Sequence, residues 1–237
     1  MDTCEFRIVG VATGGPLIRR LPRSDRHQAL IPVRAGGEDF TCQRTMRTEA
    51  DLIRDLKKLE RGRALVVSGN LDTRAMPGAA AREALVVPFV RHITWGKLVP
   101  ELELPIDETS FIIEGTVATD PVPRANRGRF ETEIVVRAGI KTVPVHLVAS
   151  NERQLAKQLE DVTAGAVVQI FGSLRTRTLG SIGLSIVVPT THRIQVAERV
   201  HVRLDAGLKA PPEADDAESS AAPPPQPLSI AAVIAAA

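Results

Sequence analysis

The side chains with chemical potential in this sequence are a set of arginines and a few aromatic rings. Phe171, Phe130 and Trp95 are flat and apolar, while Arg34, Arg74, Arg124, Arg127, Arg129, Arg137, Arg175 and Arg177 carry planar cations. A guanidinium both pairs with phosphate and stacks on flat groups. That equipment suits a single-stranded polynucleotide, with its backbone on the cations and its bases on the rings, each stacked base being worth roughly 1–3 kcal/mol. Arg44, Arg47, Arg91, Lys141 and Arg193 are a reserve of further phosphate contacts. A single exposed arginine is usually a solvated charge, so the expectation concerns the set.

Other chemistry has little to stand on. His27, His92, His146, His192 and His201 are scattered singly, without the spacing of a metal site, and GVATGGP (10–16) lacks the lysine of a phosphate loop. No catalytic residue, metal or cofactor is expected, and the chain is read as a non-enzyme. Cys4 and Cys42 are its only cysteines; they are expected as buried, reduced thiols on neighbouring strands of one unit.

The elements that must position these groups come twice. LERGRALVVSGNLDTR (59–74) and VTAGAVVQIFGSLRTR (162–177) align at a constant offset of 103, which places Gly62 on Gly165, Gly69 on Gly172, Leu71 on Leu174 and Arg74 on Arg177. VRAG (33–36) falls on VRAG (136–139) at the same offset, and FRIVGVATGGP (6–16) resembles FIIEGTVATDP (111–121) at an offset of about 105. A period near 100 residues means duplicated domains rather than a solenoid. With 237 residues and 43% hydrophobic content, the chain is long enough for two small cores.

Within each unit the hydrophobic period predicts three strands, one helix and two strands. In the first these are 5–13, 26–34 and 38–46, a helix over 48–62 with Thr48 as N-cap, then 63–73 and 84–95, where Pro88 marks an edge or bulge. In the second they are 111–119, 130–137 and 141–149, a helix over 151–161 capped by Ser150 or Asn151, then 166–176 and 183–197. Alternation in the 166–174 strand points Val168, Ile170, Gly172 and Leu174 inward and Phe171 outward. This order is that of the OB-fold, a small Greek-key barrel with a helix between its third and fourth strands. The fold class is therefore all-β with one short helix per domain. Two tandem OB-fold barrels (1–97 and 110–204) are joined by a linker (98–109) and followed by a tail (205–237).

The tail carries Asp205, Glu213, Asp215, Asp216 and Glu218 against Lys209, which leaves the preceding residues more basic than the net charge of +2. Its proline, alanine and acidic content cannot bury enough apolar surface to offset ordering, so it is expected to be disordered. Its end, LSIAAVIAAA (228–237), is too short to cross a bilayer. A frayed end or a short docking helix stands ahead of an anchor, and no membrane partner is expected. No early stretch has the form of a secretion signal, so a cytoplasmic location is the default.

GAVVQIFGSLRTR (165–177) resembles the fourth strand and following loop of bacterial single-stranded DNA-binding proteins. FIIEGTVATDPVPR (111–124) is similar to the opening strand of that family and of its relative, primosomal replication protein N. The resemblance covers most of 111–197 and, through the repeat, 6–95 more weakly. It implies sequence-tolerant binding of single-stranded DNA in replication, recombination or repair. It also implies four OB domains acting together, which a homodimer of this chain supplies. It sets Arg124, Arg127 and Arg129 in the first loop and Arg74, Arg175 and Arg177 in the loop between the last two strands, the two walls of the groove. Phe171 faces Ser68 across the repeat, and Arg175 faces Asp72, so the second barrel is expected to bind DNA more strongly and the first to lean toward assembly.

The alternative is a primosome-type accessory factor that docks replication or repair proteins, partly through its tail. One Trp, six Phe, no Tyr and a non-acidic last stretch favour it. RNA binding through the same fold is the third reading.

Overall fold

In Cys4–Ala12 (β1) the buried residues Cys4, Phe6 and Ile8 alternate with exposed Glu5 and Arg7, the period-two pattern of a strand that covers a core on one face. The computed structural model describes residues 3–22, 24–75, 84–99, 108–126, 128–179 and 184–197. After β1 come Leu17–Arg20 (β2), His27–Ala35 (β3), Glu38–Met46 (β4), Glu49–Asp55 (α1), Arg63–Ala75 (β5) and Ala84–Leu98 (β6). The second half repeats the order as Glu108–Val117 (β7), Arg124–Asn126 (β8), Arg129–Ala138 (β9), Lys141–Ala149 (β10), Glu152–Leu159 (α2), Val167–Leu179 (β11) and Leu184–Val196 (β12).

Each half is a ring of pairings. In the first, β1 pairs with β5, β5 with β6, β6 runs parallel to β4 at Phe89–Gln43, β4 pairs with β3, and β3 returns to β1 at Arg34–Val11. In the second, β7, β11, β12, β10 and β9 follow the same path, with the parallel step at Thr190–His146 and the return at Arg137–Thr116. One parallel step among antiparallel pairs, with the helix between the third and fourth ring strands, is the OB-fold topology.

Repeated glycines have a steric reason. A Cβ at Gly10 would stand 2.2 Å from Arg34 O, and one at Gly115 2.2 Å from Arg137 O, where the ring closes. At Gly69 and Gly172, beside matching bulges, it would meet Phe89 O at 2.0 Å and Thr190 O at 2.1 Å. Any other residue would force the partner backbone away.

Several expectations are corrected. β2 and β8 are extra strands; nearly all their residues are exposed, so no apolar alternation marks them. Helix α1 stops at Asp55, not at 62, because the chain turns at Leu56 and Gly62 N–H donates to Ala12 O at 2.9 Å, drawing the segment back to β1. Thr48 Oγ1 caps α1 by accepting from Asp51 N–H at 3.1 Å. In α2, Asn151 Oδ1 accepts from Gln154 N–H at 2.8 Å while Ser150 Oγ donates to Gln154 Oε1 at 2.7 Å, so both expected caps take part. Pro88 lies three residues from the β6 bulge, on a strand whose other side meets β4 only at Phe89.

Cys4 and Cys42 are buried and free as expected, but β3 separates their strands. Burial pushes their thiols up to about 11 and about 12, respectively. The linker is shorter than expected at both ends, since Leu98 ends β6 and Glu108 opens β7. Residues 100–107, and the tail 205–237, lie outside the described residues.

The halves join through β1 and β7, antiparallel from Cys4–Ile113 to Val9–Glu108, with Phe6 opposite Phe111. These phenylalanines are equivalent in the repeat, so the register makes a local two-fold axis. A second equivalent pair lies on it: β6 meets β12 at Val86–Val187. All four side chains are buried.

Away from the axis the symmetry holds in position and is reversed in charge. Glu38, at the start of β4, reaches β11, 3.2 Å from Arg175 Nη1, and accepts hydrogen bonds from Thr176 N–H and Oγ1. Its equivalent Lys141, at the start of β10, reaches β5, with Nζ 3.2 Å from Asp72 Oδ1 and 3.4 Å from Leu71 O. Two copies of the first half would oppose Glu38 to Asp72, and two of the second Lys141 to Arg175. The charges therefore favour pairing of unlike halves.

Each pair is partly exposed and contributes about 1 kcal/mol or less. Glu38→Lys should lower the thermal midpoint by a few degrees, roughly 2–4 °C per kcal/mol for a chain of this size. Adding Arg175→Glu should recover part of that loss, while Thr176 N–H stays without its acceptor. Additive effects of the two substitutions in thermal melts would show that the pair is uncoupled.

Candidate nucleic-acid interface

The expected residues are spread over β3, β5, β6, β8, β9 and β11. In β8–β9, Arg124 lies opposite Glu131, Ala125 opposite Phe130 and Asn126 opposite Arg129. Arg124 and Arg129 are exposed, and Phe130 is half-buried with its ring against the core. Asn126 Nδ2 donates to Glu131 Oε1 at 2.8 Å, which stiffens this hairpin. Arg127 lies outside the described residues.

Phe171 stands half-buried in β11, between Ile112 of β7 and Arg193 of β12. The Arg193 guanidinium lies 5.9 Å from its ring centroid, a cation–π contact that brings a cation and a flat ring together on the outer face. Ile112, 38% exposed, extends this small apolar platform. Thr191 Oγ1 fixes the bulge beside it by donating to Phe171 O at 3.0 Å or Arg193 O at 3.2 Å. In the first half the same place holds Ser68 between Arg7 and His92, without a ring.

Arg74, Arg175 and Arg177 sit inside β5 and β11, not in a loop as expected. These hairpin arms run on to Ala75 and Leu179, because their outer turns keep pairing with β6 and β12. Arg74 and Arg177 are exposed, opposite Leu85 and Ile186.

Several cations are already engaged. Arg175 serves Glu38 and Lys141 serves Asp72. Arg34 makes two 2.9 Å hydrogen bonds to Asp39, which hold its guanidinium in the charged form, while its equivalent Arg137 is exposed opposite Thr142. Arg44 bolts α1 to the barrel, with Nε 2.6 Å from Asp55 Oδ2 and Nη1 donating to Arg91 O at 2.7 Å.

Trp95 is half-buried near the end of β6, opposite Leu65 and beside α1. Arg47, Lys57 and Lys58 gather around it, and sequence reasoning did not select the two lysines. The sign of the lysine pair against its counterpart in the repeat was a readable signal.

The described histidines, His27, His92, His146 and His192, lie in strands. Ser173 Oγ meets His192 Nε2 at 2.8 Å, but among the described residues no carboxylate orients that ring as a nucleophilic triad requires. Nor do the described residues group three or more metal-ligating side chains.

The wild-type single-stranded DNA-binding protein from Thermus aquaticus matches with a TM-score of 0.59 and 16% identity, over 90% of this chain and 97% of that one. A deletion mutant of the same protein matches with the same score and identity, over 83% of this chain and 95% of that one. The chain shares the fold of these proteins over most of its length. No family model and no curated protein sequence matches it. The fold side of the resemblance noted from 111–124 and 165–177 is thus confirmed across both halves.

One carboxylate in the candidate surface is tuned. His146 Nε2 of β10 lies 3.5 Å from Glu133 Oε2 of β9, and this contact, with Arg124 nearby, holds the Glu133 carboxyl below its usual range against the opposing effect of burial. A depressed carboxylate stabilises the fold above its ordinary pKa, and that contribution is lost as pH falls through the depressed value. Glu133→Gln should therefore melt below the native chain just above the carboxylate range, with the difference closing on acidification below it. A difference that stays constant from pH 7 to pH 3 in thermal melts would contradict this.

Proposed function

We propose that this chain binds single-stranded DNA without sequence preference. The observation that carries the reading is the fold, shared over 90% of the chain with the single-stranded DNA-binding protein from Thermus aquaticus. Supporting it, exposed Arg74, Arg129, Arg137 and Arg177 are in none of the ion pairs of the described residues. Phe171 with Arg193 offers a ring and a cation at one place.

On this reading the backbone lies along the exposed guanidiniums, and Phe171, Trp95 and Phe130 receive bases. Arg34 and Arg175, tied to Asp39 and Glu38, contribute less than their charge suggests. The role extends to coating exposed strands in replication, recombination or repair, in the cytoplasm and without catalysis. The two OB units, the first reaching Leu98 and the second opening at Glu108, become four in a homodimer. The tail 205–237 is the surface for replication or repair proteins. The second reading, a primosome-type accessory factor, gains from the engagement of Arg34, Arg44, Arg175 and Lys141 in ion pairs, which leaves fewer cations for phosphate.

Fluorescently labelled oligo-dT titrated into the full chain should bind at low salt and weaken as salt rises, by a log–log slope of about −0.7 per phosphate contacted. Duplex of equal length should compete poorly. Phe171→Ala should weaken binding roughly 5- to 150-fold, as expected for one lost stacked base. No binding at low salt would sink the proposal, and unchanged affinity in the variant would remove Phe171 from the interface. Loss of a replication partner on deletion of 206–237, with DNA affinity unchanged, would favour the second reading.

A further inference from the structure

Beside α1 the first half has a depression of about 640 Å³ with Trp95 on its wall. Two carboxylates line it and both are engaged: Asp55 by Arg44 at 2.6 Å, Asp51 by Arg54 at 2.5 Å and by Thr48 Oγ1 at 2.7 Å. The other cations there, Arg47, Lys57 and Lys58, are exposed, and none is in an ion pair among the described residues. The depression thus offers three free positive charges and one flat ring.

The second half supplies an internal control. Lys57 and Lys58 correspond to Glu160 and Asp161, which line a cleft of about 270 Å³ at the equivalent place. The strand registers identify the counterpart of Trp95: Leu65 faces Trp95, and its equivalent Val168 faces Val196. Arg47 corresponds to Ser150. Both halves have the same fold to maintain there, and both maintain it. The requirements of the barrel therefore do not explain why one copy carries Arg, Lys, Lys and Trp where the other carries Ser, Glu, Asp and Val.

We propose that this depression holds one nucleotide of a bound single strand, its base against the Trp95 indole and its flanking phosphates on Arg47, Lys57 and Lys58. The inference rests on the single-strand reading above and deepens it. It places a binding site on the first half, where comparison of Phe171 with Ser68 had suggested only assembly. A phosphate-bearing base fits better than a bare anion, since a ring at the site of three cations adds stacking to charge.

Trp95 is the only tryptophan in the chain and therefore reports on this place alone. Unlabelled oligo-dT titrated into the full chain should quench its emission, while anisotropy of a labelled oligomer measures binding as a whole. The variant Lys57→Glu/Lys58→Asp carries the residues that the second half tolerates at these positions, and both sites are exposed. It should lose most of the quenching, and its salt slope should fall in magnitude by about 1.4, about 0.7 for each of two lost phosphate contacts. Anisotropy binding without a change in Trp95 emission would overturn the site and leave the single-strand reading intact. Quenching and slope retained in the variant would overturn it as well. Equal quenching by free thymidylate at the same nucleotide concentration would reassign the depression to a free nucleotide, and no anisotropy change in the native chain would defeat both readings.

Discussion

The structure depends on the register of β1 against β7. Only with Phe6 opposite Phe111 do the two rings of strands bury their first strands against each other and bring Val86 to Val187. Burying each phenylalanine contributes roughly 1.5–3 kcal/mol. A shift of one residue would turn Cys4, Phe6 and Ile8 against outward-facing neighbours and expose what the pairing buries. The same register sets the reach of the β3–β4 and β9–β10 turns. Glu38 lands on Arg175 and Lys141 on Asp72 because the axis has already been fixed by the apolar pairs.

A duplicated chain separates what folding needs from what it leaves free. Gly10 and Gly115, Gly69 and Gly172, and Leu71 and Leu174 are kept in both copies because backbone closure, bulge and core demand them. Ser68 and Phe171, Lys57 and Glu160, and Trp95 and Val196 lie where both residue types are accommodated. Differences of the second kind carry functional information that identity of the first kind does not. The outer-face ring falls in the second half and the cationic depression in the first, so the two halves differ in the surfaces that they present.

The order of strands and helices was legible because burial imposes a clean period on β1, β3, β4 and their equivalents, and because Thr48 and Asn151 mark where helices begin. The tandem OB topology followed from that order. β2 and β8 were hidden because strands this short and nearly all exposed show no apolar alternation. The end of α1 was hidden because a tertiary hydrogen bond, Gly62 N–H to Ala12 O, decides it. At the interface, individual arginines were readable and their partners were not. Nothing local to Arg175 announces Glu38, which is 137 residues away. The substitution of Asp72 by Arg175 across the repeat was visible, but without the axis it looked like a change of ligand affinity; with the axis it becomes half of a charge exchange.

That exchange has a consequence for why the two units share a chain. Two identical subunits around a two-fold axis must present the same residues, so a Glu–Arg pair on one side of the axis is matched by a Glu–Arg pair on the other. Here one side is Glu38–Arg175 and the other Lys141–Asp72, an arrangement closed to a homodimer of single barrels. Tethering makes it available, because a short connection raises the effective concentration of the correct partner. Once pairing is secured within the chain, the copies no longer have to bind ligand identically. The cationic depression at Trp95 and its counterpart beside α2, where Glu160 and Asp161 stand beside Lys157 and Arg193, are the kind of divergence that such release permits.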